Sequence, residues 1–302
     1  MAEDHLPAPP APTIEVCYRH PNVPTRVHCT RCERPICPDC MIPAPVGFQC
    51  PECVEEARRD FRSGPGRAPR GRISVTNALL VAIAIPFVIE VIVGGPQALF
   101  NPDATTLYNL GAMQPLAVAN GQFWRLFTAM FLHAGILHIA LNAYFFYLFG
   151  RTVEANFGRT WMLLIYLVSG FLASVASYAF GPATTLAVGA SGAIAGVFGA
   201  FIAFSYRRRD IPAYANNLRM ALTVIVLNAV ISFAYGAIDW RAHVGGLVAG
   251  FVLGSLIDQP DAARRKALAV GGAAVMVGIG VALVMWRTVE LRSLPGFDQL
   301  FG

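Results

Sequence analysis

The sequence predicts an all-α polytopic membrane protein preceded by a small zinc-stabilised domain. Three observations predict it. The 302 residues are 55% hydrophobic and only 14% charged, with a mean hydropathy of +0.53, too apolar for a soluble domain of this length. Charge is segregated, with ten of the 23 Lys and Arg in residues 1–72. All seven cysteines lie between Cys17 and Cys53. The expected organisation is a disordered tail (1–14), a zinc-binding module (15–55), a basic Pro/Gly linker (56–73), a transmembrane domain (74–287) and a tail (288–302).

The first 30 residues are polar and Pro-rich, so no secretory signal peptide is expected. The module should then face a reducing compartment, where clustered cysteines bind metal more often than they form disulfides. A net charge of +5 is too diffuse to point to nucleic acid. The Arg-rich segment from Arg58 to Arg72 suits a linker lying on anionic lipid headgroups.

Apolar runs and their flanking charges give seven spans, at about 74–93, 124–149, 160–180, 191–206, 218–236, 243–257 and 268–286. Arg151 and Arg159, then Arg207, Arg208, Arg209 and Arg219, then Arg264, Arg265 and Lys266 all fall in alternate connections. The opposite connections are nearly uncharged. The positive-inside rule therefore puts the N-terminus in the cytoplasm and the C-terminus outside, in a multi-pass protein of what we expect to be a bacterial plasma membrane.

The N-terminal cysteines come in pairs: Cys17 with His20, Cys29 with Cys32, Cys37 with Cys40, and Cys50 with Cys53. A two-residue spacing lets both members of a pair approach one ion from a tight knuckle. Eight donors suffice for two tetrahedral zinc ions. A segment of about 40 residues has too little core to fold unaided, so metal would supply its stability. His28 is a further candidate ligand beside Cys29. The order of pairs resembles B-box-type zinc modules. That resemblance implies a cross-brace, with Cys17, His20, Cys37 and Cys40 on one ion and Cys29, Cys32, Cys50 and Cys53 on the other. It also implies a structural role or a protein partner for the module rather than catalysis.

Within the membrane domain, polar groups are suspects because hydrocarbon makes them expensive. Ser191 is 16 residues from Arg207, about 24 Å up a core of about 30 Å. His243 is 15 residues from Asp258, about 22 Å up by the same rise. A nucleophile and a base thus share one level. Ser191 needs a base to take its proton, and no acidic residue is evident to orient His243, which predicts a dyad. In the second span, His138 and Asn142 are four apart and share a helical face. With the Ser191 backbone N–H they suit an oxyanion. His133, half a turn out of phase with Asn142, points elsewhere on a regular helix. Small-residue packing is the bland account of Gly189–Gly192, and Gly246, Gly250 and Gly254 read as a close-contact seam.

The strings FWRLFTAMFLHAGILHIALN (123–142), GRTVEANFG (150–158), GASG (189–192) and AHVGG (242–246) resemble the rhomboid intramembrane serine proteases over residues 74–257. The resemblance implies a six-helix bundle, with the seventh span as the extra helix of a six-plus-one subgroup. It implies Ser191 as nucleophile, His243 as base, His138 and Asn142 at the oxyanion, and His133 as a cavity or structural residue. Trp124 and Arg125 would support the first external loop. Substrates would be transmembrane proteins reaching the site laterally beside the span at 218–236. Many relatives carry an aromatic residue four positions after the nucleophile; here it is Ala195, leaving Phe198 and Tyr235 as candidates to hold the imidazole. The competing reading is a catalytically inactive rhomboid-like protein that binds or escorts membrane clients. A transporter lacks support in the absence of a buried carboxylate pair or an internal duplication. A zinc-dependent ligase rests on the N-terminal module alone.

Overall fold

The computed structural model describes residues 15–44, 46–63, 74–235 and 239–300. The tail 1–14, most of the basic linker and the side chain of Tyr235 lie outside the described residues. The chain divides into two compact units, at residues 1–67 and 68–302.

The first unit is built from two short antiparallel ribbons, β1 (Glu15–Val16) with β2 (Pro24–Thr25) and β3 (Ile42–Pro43) with β4 (Phe48–Gln49). Helix α1 (Pro51–Ser63) follows. It runs eight residues past the expected module boundary at 55, because the Glu/Arg-rich stretch after Cys53 is strongly helix-forming. Its small core is made of Ile36 and the cysteines, all but Cys32 fully buried. Thr25 Oγ1 donates to the Ile36 carbonyl at 2.7 Å and ties a ribbon to that core.

The second unit is helical throughout. Helix α2 (Val75–Gly94) is followed by three short helices, α3 (Ala104–Leu110), α4 (Pro115–Ala119) and α5 (Arg125–Thr128). Then come α6 (Ile136–Phe157), α7 (Arg159–Phe180), α8 (Ser191–Tyr206), α9 (Pro212–Tyr235), α10 (Trp240–Ile257) and α11 (Ala262–Arg292). Among the described residues, five of these (α2, α6, α7, α10 and α11) are long and apolar enough to cross a membrane, and α8 is a shorter apolar helix. With α9 they make the seven long helices of a polytopic bundle.

Helix α8 is the axis of the fold, with twelve of its sixteen residues buried. It lies parallel to α10 in fixed register. A Cβ at Gly246 would fall 2.0 Å from the Gly192 carbonyl oxygen, and one at Gly250 would fall 1.8 Å from that of Gly196. Glycine lets the two backbones touch, which is how membrane helices associate without a hydrophobic driving force. Helix α7 closes the other side, where Ser169 and Ala173 meet Gly196 and Gly192.

Several sequence-derived bounds differ from the structure, and the fifth span, expected at 218–236, starts at Pro212. The second span was expected at 124–149, but its helix starts at Ile136 and ends at Phe157. Gly135 (φ +100°) breaks the chain there, and a Cβ on it would fall 2.4 Å from the Phe100 carbonyl oxygen. Residues 124–134 instead fold into α5, a 3-10 turn and a loop. The seventh helix extends well beyond 268–286 at both ends, since polar helical turns outrun the apolar window that marks a span.

The start of α2 is pinned by Glu154 of α6. Its carboxylate accepts from Ser74 Oγ at 2.6 Å, Val75 N at 2.8 Å, Thr76 N at 2.9 Å and Thr76 Oγ1 at 2.7 Å. A carboxylate at a helix N-terminus satisfies otherwise orphaned N–H groups and opposes the positive end of the dipole. Replacing Glu154 by Ala should cost about 3 kcal/mol, the usual scale for stranding several charge-assisted hydrogen bonds. Thermal unfolding in detergent checks it; an unchanged midpoint would count against this anchor.

Candidate active site

Helices α8 and α10 begin side by side at one end of the bundle, Ser191 being the first residue of α8 and His243 lying in the first turn of α10. The loop before Ser191 is fixed from below. Ala187 pairs with Met113 through backbone hydrogen bonds of 2.9 and 3.0 Å, and Gly189 N donates to the Ala129 carbonyl at 2.9 Å. Gly189 has φ +128°, where a side chain is strained. A Cβ there would lie 2.9 Å from His138 Nε2 and 3.6 Å from Ser191 Oγ. His138 and the Ser191 hydroxyl therefore border one small space over the Gly189 backbone.

The tautomer of His138 follows from its neighbour. Ala134 N donates to His138 Nδ1 at 3.2 Å, so in the neutral ring the proton sits on Nε2, the edge facing Ser191. Asn142, one turn further along α6, is buried, and its Nδ2 has no hydrogen-bond partner among the described residues.

His133 does not lie on the helix, so the phase argument that turned it away does not apply. It sits in the loop before α6, fully buried, with its ring edge-on to His138 at 5.2 Å between centroids. Its backbone N–H donates to Glu90 Oε1 of α2 at 2.9 Å. Trp124 and Arg125 lie in the connection between α2 and α6. The buried Arg125 donates to the carbonyls of Tyr108 at 2.6 Å and Ala112 at 2.9 Å, and stacks on the Tyr108 and Trp124 rings.

Two residues that sequence reasoning missed hold α10 and His243. Asp239 caps α10, accepting from Arg241 N at 3.1 Å and from Ser177 Oγ of α7. Asn228 of α9 faces the imidazole, with its Oδ1 3.0 Å from His243 Nδ1. The available signal for Asn228 was a lone carboxamide in the apolar run LTVIVLNAVISF. Phe198, a candidate ring for His243, instead packs against Phe149 at 4.6 Å and Phe201 at 6.1 Å.

In the first unit the donors gather into two sets, Cys17, His20, Cys37 and Cys40, and Cys29, Cys32, Cys50 and Cys53. This is the grouping that the B-box resemblance implied. Within each set the ligand atoms lie within 4.8 Å of one another. His20 Nδ1 is 3.2 Å from Cys37 Sγ and 3.5 Å from Cys40 Sγ, and Cys32 Sγ is 3.8 Å from Cys50 Sγ. A tetrahedral zinc with Zn–S near 2.3 Å sets ligand separations of about 3.7 Å, so both sets fit a metal ion. His28 belongs to neither, being paired with Glu15.

Burial alone would raise the Cys17 and Cys29 thiols, but surrounding backbone N–H groups outweigh it and bring each down to about 6. The Arg34 guanidinium, donating to Cys32 Sγ at 3.3 Å, lowers that thiol too. Burial and neighbouring thiols push Cys40 up to about 11 and Cys53 up to about 12. Each set thus mixes a thiol held low with one held high, and a bound cation would favour the thiolate of both. With no substantial core besides these ligands, the unit should unfold on chelation. Metal analysis should return about two zinc ions per chain; none in freshly purified, reduced protein would contradict the zinc assignment.

A bundle of apolar, membrane-length helices defines a polytopic membrane protein. The chain belongs to the rhomboid family: the Rhomboid domain matches residues 120–260. It is 35% identical over 162 residues to the rhomboid protein YdcA of Bacillus subtilis, covering 54% of this chain and 78% of that protein. It is 36% identical over 164 residues to rhomboid protease GluP of the same organism, spanning 31% of GluP. RHOMBOID-like protein 6, mitochondrial, of Arabidopsis thaliana is 39% identical over 166 residues, 53% of each chain.

Proposed function

We propose that this protein is an intramembrane serine endopeptidase that hydrolyses a peptide bond in or near the transmembrane segment of other membrane proteins. Ser191 would be the nucleophile and His243 the base. The observation that carries the reading is the common border of His138 Nε2 and Ser191 Oγ on the space above Gly189, beside the helix that carries His243. The names of relatives such as GluP support it.

In this mechanism Ser191 Oγ attacks the scissile carbonyl carbon while its proton passes to His243 Nε2. The carbonyl π pair moves onto oxygen, and the oxyanion is held by the Nε2–H of His138, the Nδ2–H of Asn142 and the Ser191 backbone N–H. Collapse expels the amine, which takes the proton from His243 and leaves an ester on Ser191. Water, giving its proton to His243, then attacks the ester carbonyl, and collapse releases the carboxylic acid as Ser191 Oγ takes that proton back from His243. His133 supports His138 through its ring contact, and Trp124 and Arg125 brace the connection above.

The Lys/Arg distribution supports an N-terminal module in the cytoplasm and an active site near the outer face of a plasma membrane. The two metal sets, each with four protein ligands, suit structural zinc, and the proposed serine–histidine chemistry itself calls for no cofactor.

The test is reconstitution in proteoliposomes with a single-span reporter carrying Gly and Ala at its outward end. We expect two products whose masses place the cut in or near the span. An uncut reporter that nevertheless co-purifies with the protein would favour the client-binding reading.

A further inference from the structure

We infer that Asn228 orients the catalytic imidazole, completing with Ser191 and His243 a Ser–His–Asn relay that spans three helices. The inference rests on the proposed dyad and goes beyond it by supplying the third group. Asn228 Oδ1 lies 3.0 Å from His243 Nδ1. A carboxamide oxygen only accepts, so Nδ1 is the donor and carries the imidazole proton. The lone pair then resides on Nε2, the form a base requires. In serine hydrolases this task of fixing tautomer and ring angle falls to a buried carboxylate; here a neutral amide does it.

The surroundings of Asn228 argue against a merely incidental contact. Its neighbours Val226, Leu227 and Val230 on α9 are all more than half exposed, the pattern of a helix facing lipid. An amide among such side chains costs free energy in hydrocarbon unless it is paired. The polar partner that the structure gives it is His243. Of the ring positions considered for holding the imidazole, 195 is Ala, Phe198 is engaged by Phe149 and Phe201, and the side chain of Tyr235 lies outside the described residues. Among the described residues, the amide is the group that positions the imidazole. Because Asn228 belongs to α9 and not to the α8–α10 core, the base is aligned only while α9 is docked. A displaced α9 leaves Nδ1 without its acceptor.

The experiment compares full-length wild type with Asn228→Leu, Asn228→Asp and His243→Ala, each in lipid, by the rate of labelling with a fluorophosphonate probe and by thermal unfolding. Leucine removes the acceptor at similar volume and suits the lipid face, so the fold should hold. Labelling should slow by roughly ten- to a hundredfold, the scale of one lost orienting hydrogen bond. Aspartate keeps an acceptor oxygen at the same reach and should restore labelling to within a few-fold of wild type, which a purely structural role would not require. Asn228→Leu labelling at the wild-type rate, while His243→Ala labels poorly, would overturn the orienting role and leave the dyad standing. Loss in Asp and Leu alike, with unfolding unchanged, would also overturn it. Wild type and His243→Ala labelling equally would remove the dyad itself, and this inference with it.

Discussion

Replacing Ser191 with Ala is expected to reduce fluorophosphonate labelling and reporter cleavage by at least about a thousandfold, because members of a nucleophile–base unit fail together. His243→Ala should lose nearly as much, and the double variant little more than either. Neither change should unfold the protein. Ser191 is the first residue of α8 and no side-chain cap depends on its hydroxyl, while the α8–α10 contact is carried by glycines deeper in the bundle. Serine labelling that survives in Ser191→Ala with the wild-type rate would exclude it as nucleophile. A substantial further loss in the double variant would show that the two residues do not act as one unit.

Gly250→Val should be the most damaging change away from that site. A Cβ at Gly250 would sit 1.8 Å from the Gly196 carbonyl oxygen and 2.5 Å from its Cα. Those are rigid backbone atoms, so α10 must move away from α8 by an ångström or more. Overpacking of a close contact costs about 1–3 kcal/mol, and here the moving helix also carries His243. We expect both a lower unfolding temperature and loss of labelling. Gly278→Val on α11 is the control, since a Cβ there meets nothing within 4 Å. Equal unfolding temperatures for the two variants would show that the α8–α10 contact is not tight in the bilayer.

The sequence alone determined the class of fold, because the cost of exposing polar groups to lipid leaves long apolar helices as the economical solution. Helix α8 was legible at both ends, opened by Ser191 in a small-residue turn and closed by the arginines from Arg207. The pairing of cysteines was legible as metal chemistry, since a two-residue spacing is local geometry. His138 and Asn142 were legible as neighbours for the same reason, being one helical turn apart.

Only the tertiary structure decided the rest, which depends on contacts between residues distant in the chain. The start of α6 is set by Gly135 lying under the Phe100 carbonyl, a contact that hydropathy cannot register. His133 precedes that break, so helical phase does not set its direction, and only the packing of its loop places its ring against His138. The tautomer of His138 depends on which N–H reaches its Nδ1. Asn228 and His243, fifteen residues and one helix apart, meet because α9 docks beside the parallel α8–α10 pair. Local periodicity fixes which face of a helix is apolar, but the interhelical packing chooses which polar atom on that face finds a partner.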